Sequence, residues 1–139
     1  MDERMKDRRW FFILLVEYDK SLEQISKKLQ AKLRKSGNAK LRIYGDIPHS
    51  DVQDILSRSD IGLCLLDYWI PNYRYAYPVE IVEYMKAGLI VCFYISAMVL
   101  AALCITNNVT GFMTDYSVNK FSKAVNSAIS LCMDAVGKE

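Results

Sequence analysis

Histidine occurs once in the 139 residues, proline three times and glycine six times, and no two of the four cysteines form a Cys-x-x-Cys pair. Each scarcity excludes something. The lone His49 has no Ser, Cys or carboxylate at a spacing that would build a triad or a metal site, and reads as a solvated turn residue. Without a Cys-x-x-Cys pair there is no zinc or dithiol signature. So few glycines and prolines leave no low-complexity linker at which to divide the chain. Charge of one sign is also lacking. The net charge is only +2, with Lys27, Lys28, Lys32, Arg34 and Lys35 gathered on one predicted helix, so a solvated helix face or a weak anionic contact is expected, not a nucleic-acid groove.

What is present is apolar sequence in blocks. A chain that is 52% hydrophobic and 24% charged is long enough for one ordinary core and too short for two full domains. We therefore expect one domain over 1–139, with the charged residues 1–9 disordered. Cys64, Cys92, Cys104 and Cys132 are widely spaced in apolar segments, as unpaired core thiols of a reducing compartment are, so a cytoplasmic location is expected. The charged start of the chain lacks a small-residue cleavage site and is a poor signal peptide.

Strand and helix signals alternate. Trp10 to Glu17 is a continuous apolar run suited to a central strand covered on both faces. Ser21 to Lys35 carries Leu22, Ile25, Leu29 and Leu33 at helical spacing. Leu41 to Tyr44 is a short strand, and Ser50 with Gln53 forms a capping box opening a helix that runs through Ser57 or Arg58. Ile61 to Leu66 and Leu89 to Tyr94 are further strands, and Val118 to Met133 is a closing helix. This order predicts an α/β fold with a mainly parallel sheet and helices on both faces, a three-layer α/β/α sandwich whose ligand rim lies at the strands' carboxyl ends.

From Ala87 to Thr114 no residue is charged. The length approaches a membrane span, but Gly88, Tyr94-Ile95-Ser96 and Thr106-Asn107-Asn108 divide it into pieces that fit a buried strand and a short buried helix. Lipid contact through Leu89 to Leu103 is kept as the least favoured reading.

The most specific stretch is Tyr75 to Val91. Pro78 suits the first turn of a helix and Gly88 the residue just past its end, which leaves Glu83 mid-helix as an inward carboxylate. Together with Leu41 to Pro48, Asp51 to Leu56, Ser59 to Leu63 and Gly111-Phe112, in that order, it resembles the donor-binding half of GT-B glycosyltransferases of the glycogen-synthase-like family four. The resemblance covers roughly residues 10–130. It implies a Rossmann-like fold equivalent to one half of a GT-B enzyme and a UDP- or GDP-linked sugar as partner. By resemblance, Glu83 would accept hydrogen bonds from the ribose hydroxyls, and the turn with Asp46, Ile47 and Pro48 would read the base. No cofactor and no metal are implied. Because the acceptor half is missing, transfer of a hexose would need a second domain, a partner chain or a homo-oligomer.

The loop Asp67 to Tyr77 adds five aromatic rings and one arginine at the expected rim. Tyr75, Tyr77 and Arg74, beside Pro78 and Val79, are its donor-binding candidates, since aromatic faces suit sugar or base stacking and Arg74 is the nearby cation. A loop covering the sheet edge or a protein interface reads equally well. The chain departs from the family in three places. Tyr75 stands where the family has its first glutamate, Glu80 where lysine is frequent, and Val16-Glu17-Tyr18-Asp19 where a glycine-rich phosphate loop would follow the strand. These departures favour the alternative, a catalytically degenerate relative acting as a protein interaction module.

Overall fold

The computed structural model describes residues 10–16, 20–37, 39–65, 70–74, 78–94, 111–115 and 117–136. It is an α/β structure in which every described strand pairing is parallel. The chain divides into two compact units, Met1–Val52 and Gln53–Glu139.

In the first unit, β1 (Trp10–Val16) pairs with β2 (Ala39–Gly45) from Trp10↔Ala39 to Val16↔Gly45. Helix α1 (Lys20–Ser36) connects them and packs on β2. Its ends suit the helix dipole, with Glu23 in the first turn and Arg34 and Lys35 in the last. Lys27 donates to Glu23 one turn back at 2.7 Å, an exposed pair screened by solvent. Among the described strands β1 pairs with β2 alone, and Ile13, the one β1 side chain whose exposure is described, is 42% exposed. An apolar run records preference for burial; which neighbours arrive to cover it is decided by the rest of the chain.

Helix α2 (His49–Ser57) begins after the turn Asp46-Ile47-Pro48. Asp46 is the only described non-glycine residue with positive φ, at 46°, a conformation Asp tolerates better than most side chains. The capping box is corrected here. The Pro48 carbonyl accepts from the Asp51 and Val52 amides at 2.9 and 3.2 Å, which places Ser50 inside the first turn, where its hydroxyl donates to Asp51 Oδ1 at 3.2 Å instead of capping.

In the second unit the strands are β3 (Ile61–Cys64), β4 (Ile90–Tyr94) and β5 (Gly111–Thr114), hydrogen-bonded in the order β3-β4-β5. The register pairs Cys64 with Phe93 and Phe93 with Met113. The strand expected over Ile61 to Leu66 ends at Cys64, Leu65 is 54% exposed, and Leu66 lies outside the described residues. Helix α3 (Val79–Lys86) lies between β3 and β4, and α4 (Val118–Val136) follows β5.

Period-two alternation assigns the two helices to opposite faces of this sheet. Cys64, Val91 and Phe93 form a buried cluster with Ile81 of α3, to which Tyr84, Met85 and Met113 add. Cys92, between Val91 and Phe93 and fully buried, feels the thiol of Cys132 on α4. Ala124, Ala128 and Met133 supply the buried side of α4. No described helix is long and apolar enough to cross a membrane. The charge-free segment contributes β4 and β5, and its expected short helix lies outside the described residues, as does Cys104.

Candidate functional site at the carboxyl end of the parallel sheet

Strand β3 runs toward Cys64 and the chain returns as α3, so the start of α3 lies on the same side of the sheet as the strands' carboxyl ends, the ligand side of open parallel sheets. Both ends of α3 are fixed locally. Pro78 is the residue before the first turn, with φ −65° and ψ 123°, and its carbonyl accepts from the Ile81 amide at 3.2 Å. At the other end Gly88 has φ +77°, its amide donates to the Met85 carbonyl at 3.1 Å, and the Leu89 amide donates to the Tyr84 carbonyl at 2.9 Å. That pair of bonds is the Schellman closure a glycine at this position allows.

The side of α3 facing the sheet carries Ile81, Tyr84 and Met85. Tyr84 crosses Gly62 of β3 and its hydroxyl donates to the Leu63 carbonyl at 3.4 Å. Burial, then Cys64, Glu80 and Glu83, push the Tyr84 phenol up to about 12. Burial first and Glu80 second push the Cys64 thiol up to about 11, which keeps it protonated at neutral pH and unsuited to act as a nucleophile. The two carboxylates of α3 thus bring negative charge to a rim that holds a neutral thiol and a neutral phenol. Such a rim can accept hydrogen bonds from hydroxyl groups. Neither nucleophilic nor metal chemistry is evident there, and among the described residues no cluster of His, Cys, Asp or Glu could hold a metal ion.

Of the residues expected at the site, Pro78, Val79 and Glu83 come together on α3. Pro78 is buried, Val79 is 66% exposed and Glu83 is half-buried. Glu83 follows the fully buried Ile81 by two residues, roughly 200° around the helix. The expected inward carboxylate is accordingly corrected: Glu83 is off the face that packs on the sheet, because Ile81, Tyr84 and Met85 occupy that stripe. Asp46, Ile47 and Pro48 form the turn after β2 in the first unit, with Ile47 half-buried and the other two exposed. Arg74 closes a short 3₁₀ helix, Pro71–Arg74, and its side chain lies outside the described residues. Tyr75 and Tyr77 lie outside them as well.

Three features were missed from the sequence. The Gly62–Tyr84 contact had a signal, since a glycine inside an apolar strand marks close approach by another group. The proximity of Glu80 to Cys64 had none. Nor did the hydroxyl of Thr114 at the end of β5, which is buried and has no hydrogen-bond partner among the described residues. The chain matches no protein-family model, no curated protein and no solved structure.

Proposed function

We propose that this chain is a nucleotide-sugar-binding, glycosyltransferase-like domain, with a Rossmann-like sandwich equivalent to one half of a GT-B fold. The observation that carries the reading is α3 itself. A helix opened by Pro78 and closed by Gly88 connects two parallel strands and holds Glu83 half-buried, five residues before the closing glycine. This is the sequence order in which the resembled family keeps its ribose-binding glutamate. Pro78, Val79 and Glu83 of the second unit would line the donor, and the roles of Arg74, Tyr75, Tyr77 and the Asp46-Ile47-Pro48 turn rest on the sequence resemblance alone.

Donor binding alone does not transfer a hexose. The reaction of a GT-B enzyme takes place between two halves, so turnover would require an acceptor-binding partner domain or a second copy to hold the two substrates together. Cys64, Cys92 and Cys132 are all free thiols, which supports a reducing, cytoplasmic setting.

Calorimetric titration with UDP- and GDP-sugars tests the proposal. Hydrogen bonds to a charged group are worth about 1.5–3 kcal/mol, so Glu83→Ala should weaken saturable binding roughly tenfold to a hundredfold. It should also erase any preference for the ribonucleotide over its 2′-deoxy analogue. Equal binding by the parent chain and Glu83→Ala would sink the proposal.

One observation favours the degenerate interaction module instead. Val79 and Val82, adjacent on α3, are 66% and 41% exposed, and Leu65 and Ile70 of the same unit are 54% and 42% exposed. Failure of every nucleotide-sugar to bind would leave that reading ahead.

A further inference from the structure

The exposed face of α1 has a pattern that donor binding does not use. Ile25, Lys28, Leu29 and Lys32 follow one another at helical spacing of three, one and three residues and so share a strip roughly 100° wide. Ile25 is 51% and Leu29 41% exposed, and Lys28 and Lys32 are exposed between and beside them. The helix turns a different side to its own unit. Among its described side chains Ser26, Gln30 and Leu33 are the less exposed, and α1 packs on β2. Arg34 and Lys35 extend the exposed positive charge to the end of the helix, and Glu23, the only carboxylate of α1, is already engaged with Lys27.

We propose that this strip of α1 docks on the surface of an anionic phospholipid bilayer, with Ile25 and Leu29 in the headgroup boundary and Lys28 and Lys32 on the lipid phosphates. Charge complementarity names the occupant, and composition separates it from two others. Protein interfaces are enriched in aromatic residues and arginine and depleted in lysine, whereas this strip has lysine, two aliphatic side chains and no ring. Single-stranded nucleic acids are held by stacking on aromatic side chains, which α1 also lacks. Lysines beside half-exposed aliphatics are instead the arrangement of a helix lying in a membrane interface, where the long stems lie along apolar groups and the ammonium groups reach the headgroups.

Co-sedimentation of the whole chain with phosphatidylcholine vesicles, with and without phosphatidylserine, tests the proposal at low and high salt. Binding should require phosphatidylserine and fall away at high salt, since exposed charges are screened within a Debye length. Each lysine near the surface should matter roughly fivefold, so the pair Lys28→Gln and Lys32→Gln should weaken binding about twentyfold or more. The pair Ile25→Ser and Leu29→Ser should weaken it at least tenfold with an unchanged circular dichroism spectrum. Should that pair disturb folding, Ile25→Trp gives the same information. Its emission should shift to the blue and be quenched by brominated lipid, relative to the parent chain. Equal binding to neutral vesicles overturns the proposal. So does undiminished binding by the folded serine pair, an unquenched tryptophan, or equally tight binding to duplex RNA, each of which would mark a general polyanion contact.

Discussion

Tyr84 of α3 lies where a side chain on Gly62 of β3 would have to go. A β-carbon there would be 2.3 Å from Tyr84 Cδ2 and 2.4 Å from its Cγ, far inside van der Waals contact. The ring thus fills the space that only glycine leaves. Through the hydroxyl's bond to the Leu63 carbonyl it also ties α3 to the strand it crosses.

Gly62→Ala should therefore destabilise the second unit by about 1–3 kcal/mol, the usual cost of overpacking a filled core. Urea denaturation measures it. In a Tyr84→Ala background the same change should cost markedly less, and the difference is the coupling of the two residues. Equal costs in both backgrounds would mean that the ring and the strand do not constrain one another.

Gly88→Ala should cost about 1–2 kcal/mol, because a β-carbon disfavours the left-handed backbone that closes α3. Gly88→Asn should cost less, since asparagine is the usual second choice at this position. Thermal melts of the two variants rank them. If alanine were the better tolerated, the closure would not rest on the backbone conformation at Gly88.

Two serines near helix starts should behave oppositely. Ser117 precedes α4, its carbonyl accepts from the Phe121 amide at 2.9 Å, and its hydroxyl accepts from the Lys120 amide at 3.4 Å. Lys120 in turn pairs with Asp115. Ser117→Ala should cost about 1 kcal/mol as a lost N-cap. Ser50→Ala should stay within about 0.5 kcal/mol, as its hydroxyl caps nothing. Equilibrium unfolding of both variants checks the contrast.

High pH should unfold the second unit in a defined window. Tyr84 is pushed from its ordinary 10.0 up to about 12, Cys64 from 9.0 to about 11 and Cys92 from 9.0 to about 12, in each case chiefly by burial. Folded-state values raised above the unfolded ones mean that the unfolded chain loses these protons first. The stabilisation is full below the unfolded thiol value of 9.0 and is lost progressively as pH climbs toward 11 and 12. Urea midpoints followed across that range should fall steeply. Tyr84→Phe should flatten part of the fall, with the two thiols accounting for the rest.

Much of the secondary structure was legible because the signals were local. The apolar run Trp10 to Val16, the amphipathic spacing of α1, and the proline and glycine bracketing α3 each specify an element within a residue or two. Strand β5 has no local signal, since Gly111-Phe112-Met113-Thr114 is short, begins with glycine and does not alternate. It is a strand because β4 offers it an edge, with Val91 opposite Gly111, and such pairing is a property of distant residues. The same holds at the site. That Glu83 falls mid-helix could be counted along the chain, but that Ile81, Tyr84 and Met85 take the face toward the sheet, leaving Glu83 half-buried, depends on what α3 packs against. Pro48 displaced the expected cap at Ser50 for a local reason, since its carbonyl lies one turn ahead of the amides that needed a partner.

The burial of Cys92 beneath α4 makes the protein its own stopwatch. With 0% exposure on a strand against which α4 packs, the Cys92 sulfur meets an alkylating reagent only when its cover opens. The rate at which Cys92 acquires a label, separated from the half-buried Cys132 by peptide mass, therefore counts how often this part of the sheet opens.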